Sequence, residues 1–230
     1  MQNIIDTPSP NQDERSLPIS MVVLHYTGMK DAASAIARLA DPESRVSCHY
    51  LIAEDGQIVR MVPEARRAWH AGRSWWRGVT DINSASIGIE IVNPGHELGY
   101  LPFPDEQIDA LIPLLSSIKE RYGITRGNIV GHSDIAPQRK QDPGELFPWG
   151  RLAKLRLALP RPAKNLMDPR WTDAGFLLAL ERFGYDVTDK LAAVVAFQRR
   201  FRPELIDGEI DGECRAILLG LLLPKPQGED

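Results

Sequence analysis

The chain has 230 residues, enough for one generous domain or for a larger domain with a small accessory module. Hydrophobic residues at 43% and charged residues at 25% are ordinary globular proportions and exclude a disordered or fibrous chain. A formal net charge of -4 and a pI near 5.8 leave no electrostatic case for nucleic acid, whose binders cluster Lys and Arg at high pI.

The first residues, MQNIIDTPSPNQDERSLPIS, form a polar arm over 1–17 with no uninterrupted apolar run. That composition argues against a signal peptide or a membrane span. The expected compartment is the cytoplasm, with the periplasm as the alternative if a leader has been removed. The run from Ile19 to His25 then reads as a buried strand that ends on a histidine. A short helix is expected from Asp31, whose carboxylate can cap free N–H groups. Cys48–Ala53 and Gln57–Val62 are β-prone runs joined by Glu54-Asp55-Gly56, a hairpin signal because Asp-Gly supplies the positive φ of a tight turn.

Another strand is expected over Ser86–Val92, where Ile87, Ile89 and Ile91 alternate with Gly88 and Glu90. Glu90 therefore faces away from the isoleucines. Ile108, Leu111, Ile112, Leu115 and Ile118 repeat at helical spacing and predict an amphipathic helix over Asp105–Tyr122, stopped by Gly123. Ile129-Val130 reads as one more strand, which delivers Gly131-His132 at its end. Strands mixed with helices predict an α/β fold, a central sheet flanked by helices, over 18–158. Prolines then mark a linker over 159–170. Helical patterning at 172–183, 188–201 and 212–222 predicts a compact three-helix domain over 171–224.

Cys48 and Cys214 are the only cysteines and form no CxxC spacing, so neither a disulfide framework nor a thiolate metal site is indicated. Three other donors sit where strands hand over to loops: His25, His132 and, in the loop that follows, Asp142. A catalytic zinc site takes about three protein ligands of these types and keeps one position open. Their wide separation makes this a tertiary site that spacing alone does not establish. For any one histidine taken alone, a satisfied or surface imidazole is the commoner reading.

The surrounding residues add weight. His25-Tyr26-Thr27, Trp69-His70-Ala71-Gly72, Ser86-Ile87-Gly88-Ile89-Glu90 and the block GHSDIAP–RK–DPG, Gly131 to Gly144, occur in one order. Together they resemble the AmpD-like, amidase_2 branch of N-acetylmuramoyl-L-alanine amidases, over roughly residues 18–158. The resemblance implies a mixed central sheet, a single zinc ion held by His25, His132 and Asp142, Glu90 as general base and acid, and Lys140 as the group that stabilises the oxyanion. It implies a muropeptide or peptidoglycan substrate cut between muramic acid, in reducing or 1,6-anhydro form, and L-alanine. The residue types suit that chemistry: a carboxylate moves the proton that makes an amide nitrogen leave, and a cation stabilises the developing oxyanion.

His70 resembles the family's substrate-side histidine. Trp69, Trp75 and Trp76 offer faces to sugar rings, with core packing an equal alternative. Where relatives carry tyrosine in the hairpin, this chain has Cys48, so any positioning hydroxyl must come from elsewhere, for instance Tyr26 or Tyr50. His49 on the hairpin is open between lining the cleft, orienting a ligand and packing. His96, in the turn-like NPGHELG, reads as an exposed turn residue. The run AVVAFQRRF followed by DGEIDGECRAIL resembles the small helical peptidoglycan-binding domain, with Cys214 or Arg215 near that domain's usual threonine. Holding glycan and bracing the cleft are both open as its role. Two other functions stand as alternatives: a non-catalytic peptidoglycan-recognition protein and a zinc peptidase that cuts within the stem peptide.

Overall fold

The computed structural model describes residues 4–162 and 166–223. Residues 1–3 of the expected arm, 163–165 of the expected linker, and residue 224 lie outside them. In chain order the elements begin with two short strands from the arm, β1 (Ile4–Asp6) and β2 (Gln12–Glu14), followed by β3 (Met21–Tyr26) and helix α1 (Ala32–Ala40). The hairpin follows as β4 (Tyr50–Ile52) and β5 (Ile58–Arg60), then β6 (Arg66–Ala68), α2 (Ile82–Ala85), β7 (Ser86–Ile91), α3 (Gly95–Leu98) and α4 (Asp105–Tyr122). The remainder is β8 (Ile129–Gly131), α5 (His132–Ile135), α6 (Trp149–Lys154), α7 (Asp173–Phe183), α8 (Lys190–Phe201) and α9 (Gly212–Leu222).

Local signals explain most of these boundaries. Asp31 caps α1, its carboxylate accepting the Ser34 N–H at 2.8 Å. Gly123 ends α4 in the left-handed region at φ 62°. Thr172, Asp189 and Asp211 cap the last three helices in the same way as Asp31 caps the first. The hairpin turns at Gly56, φ +82°, where a Cβ would also lie 2.6 Å from the Glu106 carbonyl oxygen.

Six strands form one mixed sheet in the order β1-β5-β4-β7-β3-β8, and β2 pairs with β6 in a second, two-stranded sheet. β4 and β5 are antiparallel, whereas β4, β7, β3 and β8 run parallel. The polar arm is thus part of the architecture: β1 extends the sheet beside β5, and β2 lies against the strand before His70. Three-residue polar strands carry no alternation that a sequence reading can detect.

The central strands are buried on both faces, as parallel strands usually are. On one face Val22, Leu24, Ile87, Ile89 and Ile91 pack against Ile108, Leu111, Leu115 and Ile118 of α4 and against Trp149 and Leu152 of α6. Each such side chain, fully buried, contributes about 1.5–3 kcal/mol. On the other face there are two covers. Ala35 and Leu39 of α1 pack on Leu51, Val59 and Met61. Over β3 and β8, Met21, Val23 and Val130 share one cluster with Phe176, Leu180, Phe183, Tyr185, Val194 and Phe197. The last three helices therefore continue the core of the sheet. A cleft opens beside α1, over the ends of β3 and β7.

Candidate metal centre and active-site cleft

β3 and β7 pair in parallel with His25 directly opposite Glu90, so both side chains leave the same face at the ends of their strands. Alternation puts Glu90 there and the isoleucines behind it, as the sequence predicts. β8 ends on Gly131, and His132 begins α5 immediately beyond. The following loop doubles back closely: a Cβ on Gly131 would meet Pro143 Cδ at 2.7 Å, and the Ser133 N–H donates to the Asp142 carbonyl at 2.8 Å. That return brings Asp142 beside His132.

His25 Nδ1 lies 2.9 Å from His132 Nδ1 and 2.9 Å from Asp142 Oδ2, and His132 Nδ1 lies 3.1 Å from the same carboxylate oxygen. All three residues are buried, at 1%, 3% and 5% exposure. Among the described residues this is the group of His, Cys, Asp and Glu placed to share a metal ion. Bonds of about 2.0–2.2 Å to a tetrahedral ion set ligand atoms about 3.3–3.6 Å apart. The observed triangle needs only a small outward shift to accept one, and two imidazoles with one carboxylate are a suitable donor set for a catalytic site.

Electrostatics keep His25 and Asp142 in their ligating forms. Burial, reinforced by His132, takes the His25 imidazole down to about 4, so it is neutral at pH 7. Burial pushes the Asp142 carboxyl up, but its contacts with His132 and then His25, each within hydrogen-bond reach, outweigh it and hold the group well below the usual carboxylate range. Each imidazole also spends its other nitrogen: His132 Nε2 donates to the Ala71 carbonyl at 3.0 Å, and His25 Nε2 faces His70 Nδ1 at 3.1 Å.

The triad lies in a cleft of about 490 Å³ whose wall includes Glu90, Lys140, Tyr26, Trp69 and His70. Burial first, and then the charge of Asp142, push the Glu90 carboxyl well above its usual range, with Lys140 acting in the opposite direction. Glu90 Oε2 is buried with no hydrogen-bond partner among the described residues. Lys140 reaches the cleft with no hydrogen bond or ion pair tying its ammonium among the described residues.

The remaining candidates separate. Tyr26 holds its hydroxyl 3.0 Å from His96 Nδ1 at the rim. Trp69 lines the cleft, and its indole N–H donates to Asp13 of β2 at 2.7 Å. His70 lines the cleft at 8% exposure, with both ring nitrogens engaged by His25 and Ser86. His49 is fully buried beneath: Nδ1 accepts the Gly88 N–H at 2.9 Å and Nε2 meets the Arg66 carbonyl at 3.1 Å. Trp76 is core, packed on Phe183 and Tyr185. The Tyr50 hydroxyl donates to Glu64 at 2.7 Å and does not line the cleft, whereas Tyr26 does.

Sequence reasoning missed His96. It lines the cleft, stacks on Tyr100 and meets Glu145 at 3.2 Å. The signal available was Pro94-Gly95: Gly95 has φ +69° and no room for a Cβ, which would stand 2.6 Å from the Tyr26 ring. Arg139 was also passed over, although it lines the cleft and its guanidinium holds the Ala71 and Arg73 carbonyls.

Comparison with known proteins places the chain in a family. Residues 15–145 match the family model Amidase_2, described as N-acetylmuramoyl-L-alanine amidase. The chain is 41% identical to N-acetylmuramoyl-L-alanine amidase AmiD of Escherichia coli strain K12, over 89% of this chain and 82% of the relative. A solved complex of AmiD from E. coli with the substrate anhydro-N-acetylmuramic acid-L-Ala-D-gamma-Glu-L-Lys superposes with a TM-score of 0.79, at 39% identity, covering 91% of each chain. AmpDh3 from Pseudomonas aeruginosa gives a TM-score of 0.77 at 34% identity, covering 88% of this chain and 91% of that one. With the matching family model spanning more than half the chain and a close relative matched over most of its length, this chain belongs to the Amidase_2 family and is an amidase of the N-acetylmuramoyl-L-alanine amidase type.

Proposed function

We propose that the chain is a zinc-dependent N-acetylmuramoyl-L-alanine amidase acting on muropeptides, the 1,6-anhydro form among them, in recycling or remodelling of the cell wall. The carrying observation is the convergence of His25 Nδ1, His132 Nδ1 and Asp142 Oδ2 within 3.1 Å of one another beside Glu90. The substrate class is supported by the AmiD complex, whose ligand is an anhydromuramyl peptide.

In this reading His25, His132 and Asp142 hold the ion. A zinc ion bound there supplies a Lewis acid for the scissile carbonyl and lowers the pKa of water toward ~7. Glu90 does the proton work. Its unpartnered, buried Oε2 takes the proton of the attacking water and returns it to the alanine nitrogen, which leaves as a neutral amine. Lys140 brings an untied ammonium to the cleft wall, where it stabilises negative charge on the carbonyl oxygen. Tyr26, Trp69 and His70 line the space the substrate enters. For the last three helices we favour bracing over tethering to glycan, because they complete the core behind β3 and β8.

Mass spectrometry of a digested anhydromuropeptide tests the reaction. The expected products are the free sugar and an intact stem peptide that begins with alanine. A cut inside the peptide would make the chain a peptidase. Binding without metal-dependent turnover would make it a recognition protein. Fractionation of the native protein separates recycling in the cytoplasm from action on wall material outside it.

A further inference from the structure

His70 stands between the metal centre and the sheet. Its Nδ1 lies 3.1 Å from His25 Nε2, and its Nε2 lies 3.1 Å from Ser86 Oγ. Ser86 Oγ is itself 2.6 Å from the Ile82 carbonyl, to which only its hydroxyl proton can be given. The directions of the whole chain follow from that one bond. With its proton given to Ile82, Ser86 Oγ accepts from His70 Nε2–H. His70 Nδ1 is then the unprotonated nitrogen and accepts from His25 Nε2–H. His25 is left with its lone pair on Nδ1, the atom that faces His132 and Asp142.

The ring is also held sterically. It lies flat over Gly88 of β7, where a Cβ would come within 2.4 Å of His70 Cγ. The backbone behind it is fixed as well, because the N–H groups of His70 and Ala71 both donate to Asn83 Oδ1, at 3.0 and 2.7 Å. A metal-ligating histidine depends on such a partner for its tautomer and orientation.

We infer that His70 is a positioning residue for the metal centre: from Ser86 through His70, a fixed run of hydrogen bonds sets the tautomer of His25 and aims its Nδ1 at the ion. This rests on the reading of His25 as a metal ligand given above. It assigns His70 a role that does not require contact with the substrate.

The test compares His70→Leu with His70→Asn in the full chain. The two replacements are nearly isosteric and leave the same space, but Asn offers Oδ1 where His70 Nδ1 stood. Zinc affinity is read by competition with a chromophoric chelator, alongside kcat and KM at saturating zinc. The expected result is a loss of about 10–100-fold in zinc affinity for His70→Leu, the usual range for such a partner, with most of it restored in His70→Asn and KM near the wild-type value in both. Equal zinc affinities for the two variants would overturn the inference, as would a raised KM with zinc affinity unchanged, which would mark His70 as a substrate contact. Gly88→Ala, which displaces the ring without altering its chemistry, should weaken zinc binding in the same direction. A wild-type chain that binds no zinc would overturn the metal-centre reading itself, and this inference with it.

Discussion

Tyr185, just beyond α7, donates its hydroxyl to Asp134 Oδ1 at 2.6 Å, two residues past the candidate ligand His132. The other oxygen of Asp134 accepts the Gly131 N–H at 2.7 Å. One buried carboxylate thus joins the C-terminal helices to the turn that presents His132. Around it Trp76, Phe183 and Phe197 complete a common core.

Tyr185→Phe should therefore cost stability beyond the helices themselves. It leaves a buried acceptor without its donor, a change worth about 1–3 kcal/mol. Urea unfolding should show a single transition at a lower midpoint with an unchanged slope. Two separate transitions would mean that the helical part folds independently and that the shared core is not cooperative.

His25→Ala and His132→Ala should each remove bound metal and activity together, since two remaining donors make a poor site. Metal analysis of the purified variants is the check. Retained stoichiometric zinc would place the ion elsewhere.

Glu90→Gln should keep the metal and lower turnover by about 10²–10⁴-fold, the usual worth of a positioned acid–base. The amide preserves size but cannot move the proton. A rate near that of the parent would show that another group does so.

His49 predicts a pH dependence of folding. Burial, followed by the charge of Arg15, lowers its pKa from 6.5 to about 3 in the folded chain. Between those values the unfolded state binds a proton that the native state refuses. The contribution of this group is thus present above pH 6.5 and is lost as pH falls toward about 3. One proton corresponds to about 1.4 kcal/mol per pH unit. The slope of unfolding free energy against pH in this window should be shallower by up to that amount in His49→Gln, and an identical slope would rule the group out.

Much of this was legible because the signals were local. Asp31, Gly56 and Gly123 announce a cap, a turn and a stop, and the alternation through Ile87, Ile89 and Ile91 already sets Glu90 on the opposite side from the isoleucines. The donors His25 and His132 lie at strand ends, where parallel sheets present side chains to a crevice. What stayed hidden depends on contacts between distant segments. β1, β2 and β6 are three-residue strands defined by their partners rather than by their own pattern. The bonds from His70 to His25 and Ser86 require the fold to exist. His96 reaches the cleft because a turn without a Cβ lets the Tyr26 ring pass beneath it. The common core of α7 to α9 with β3 and β8 is a surface match that neither segment reveals alone.

The pairing of β3 with β7 has one more consequence. His25 and Glu90 occupy the same rung of a ladder whose reverse side is packed hydrocarbon. A single inserted residue ahead of Glu90 in its strand would turn the carboxylate into that hydrocarbon and an isoleucine toward the candidate metal centre. The side chains that would do the chemistry and the core that holds the sheet together therefore share one register: shifting this rung would disturb both in the same step.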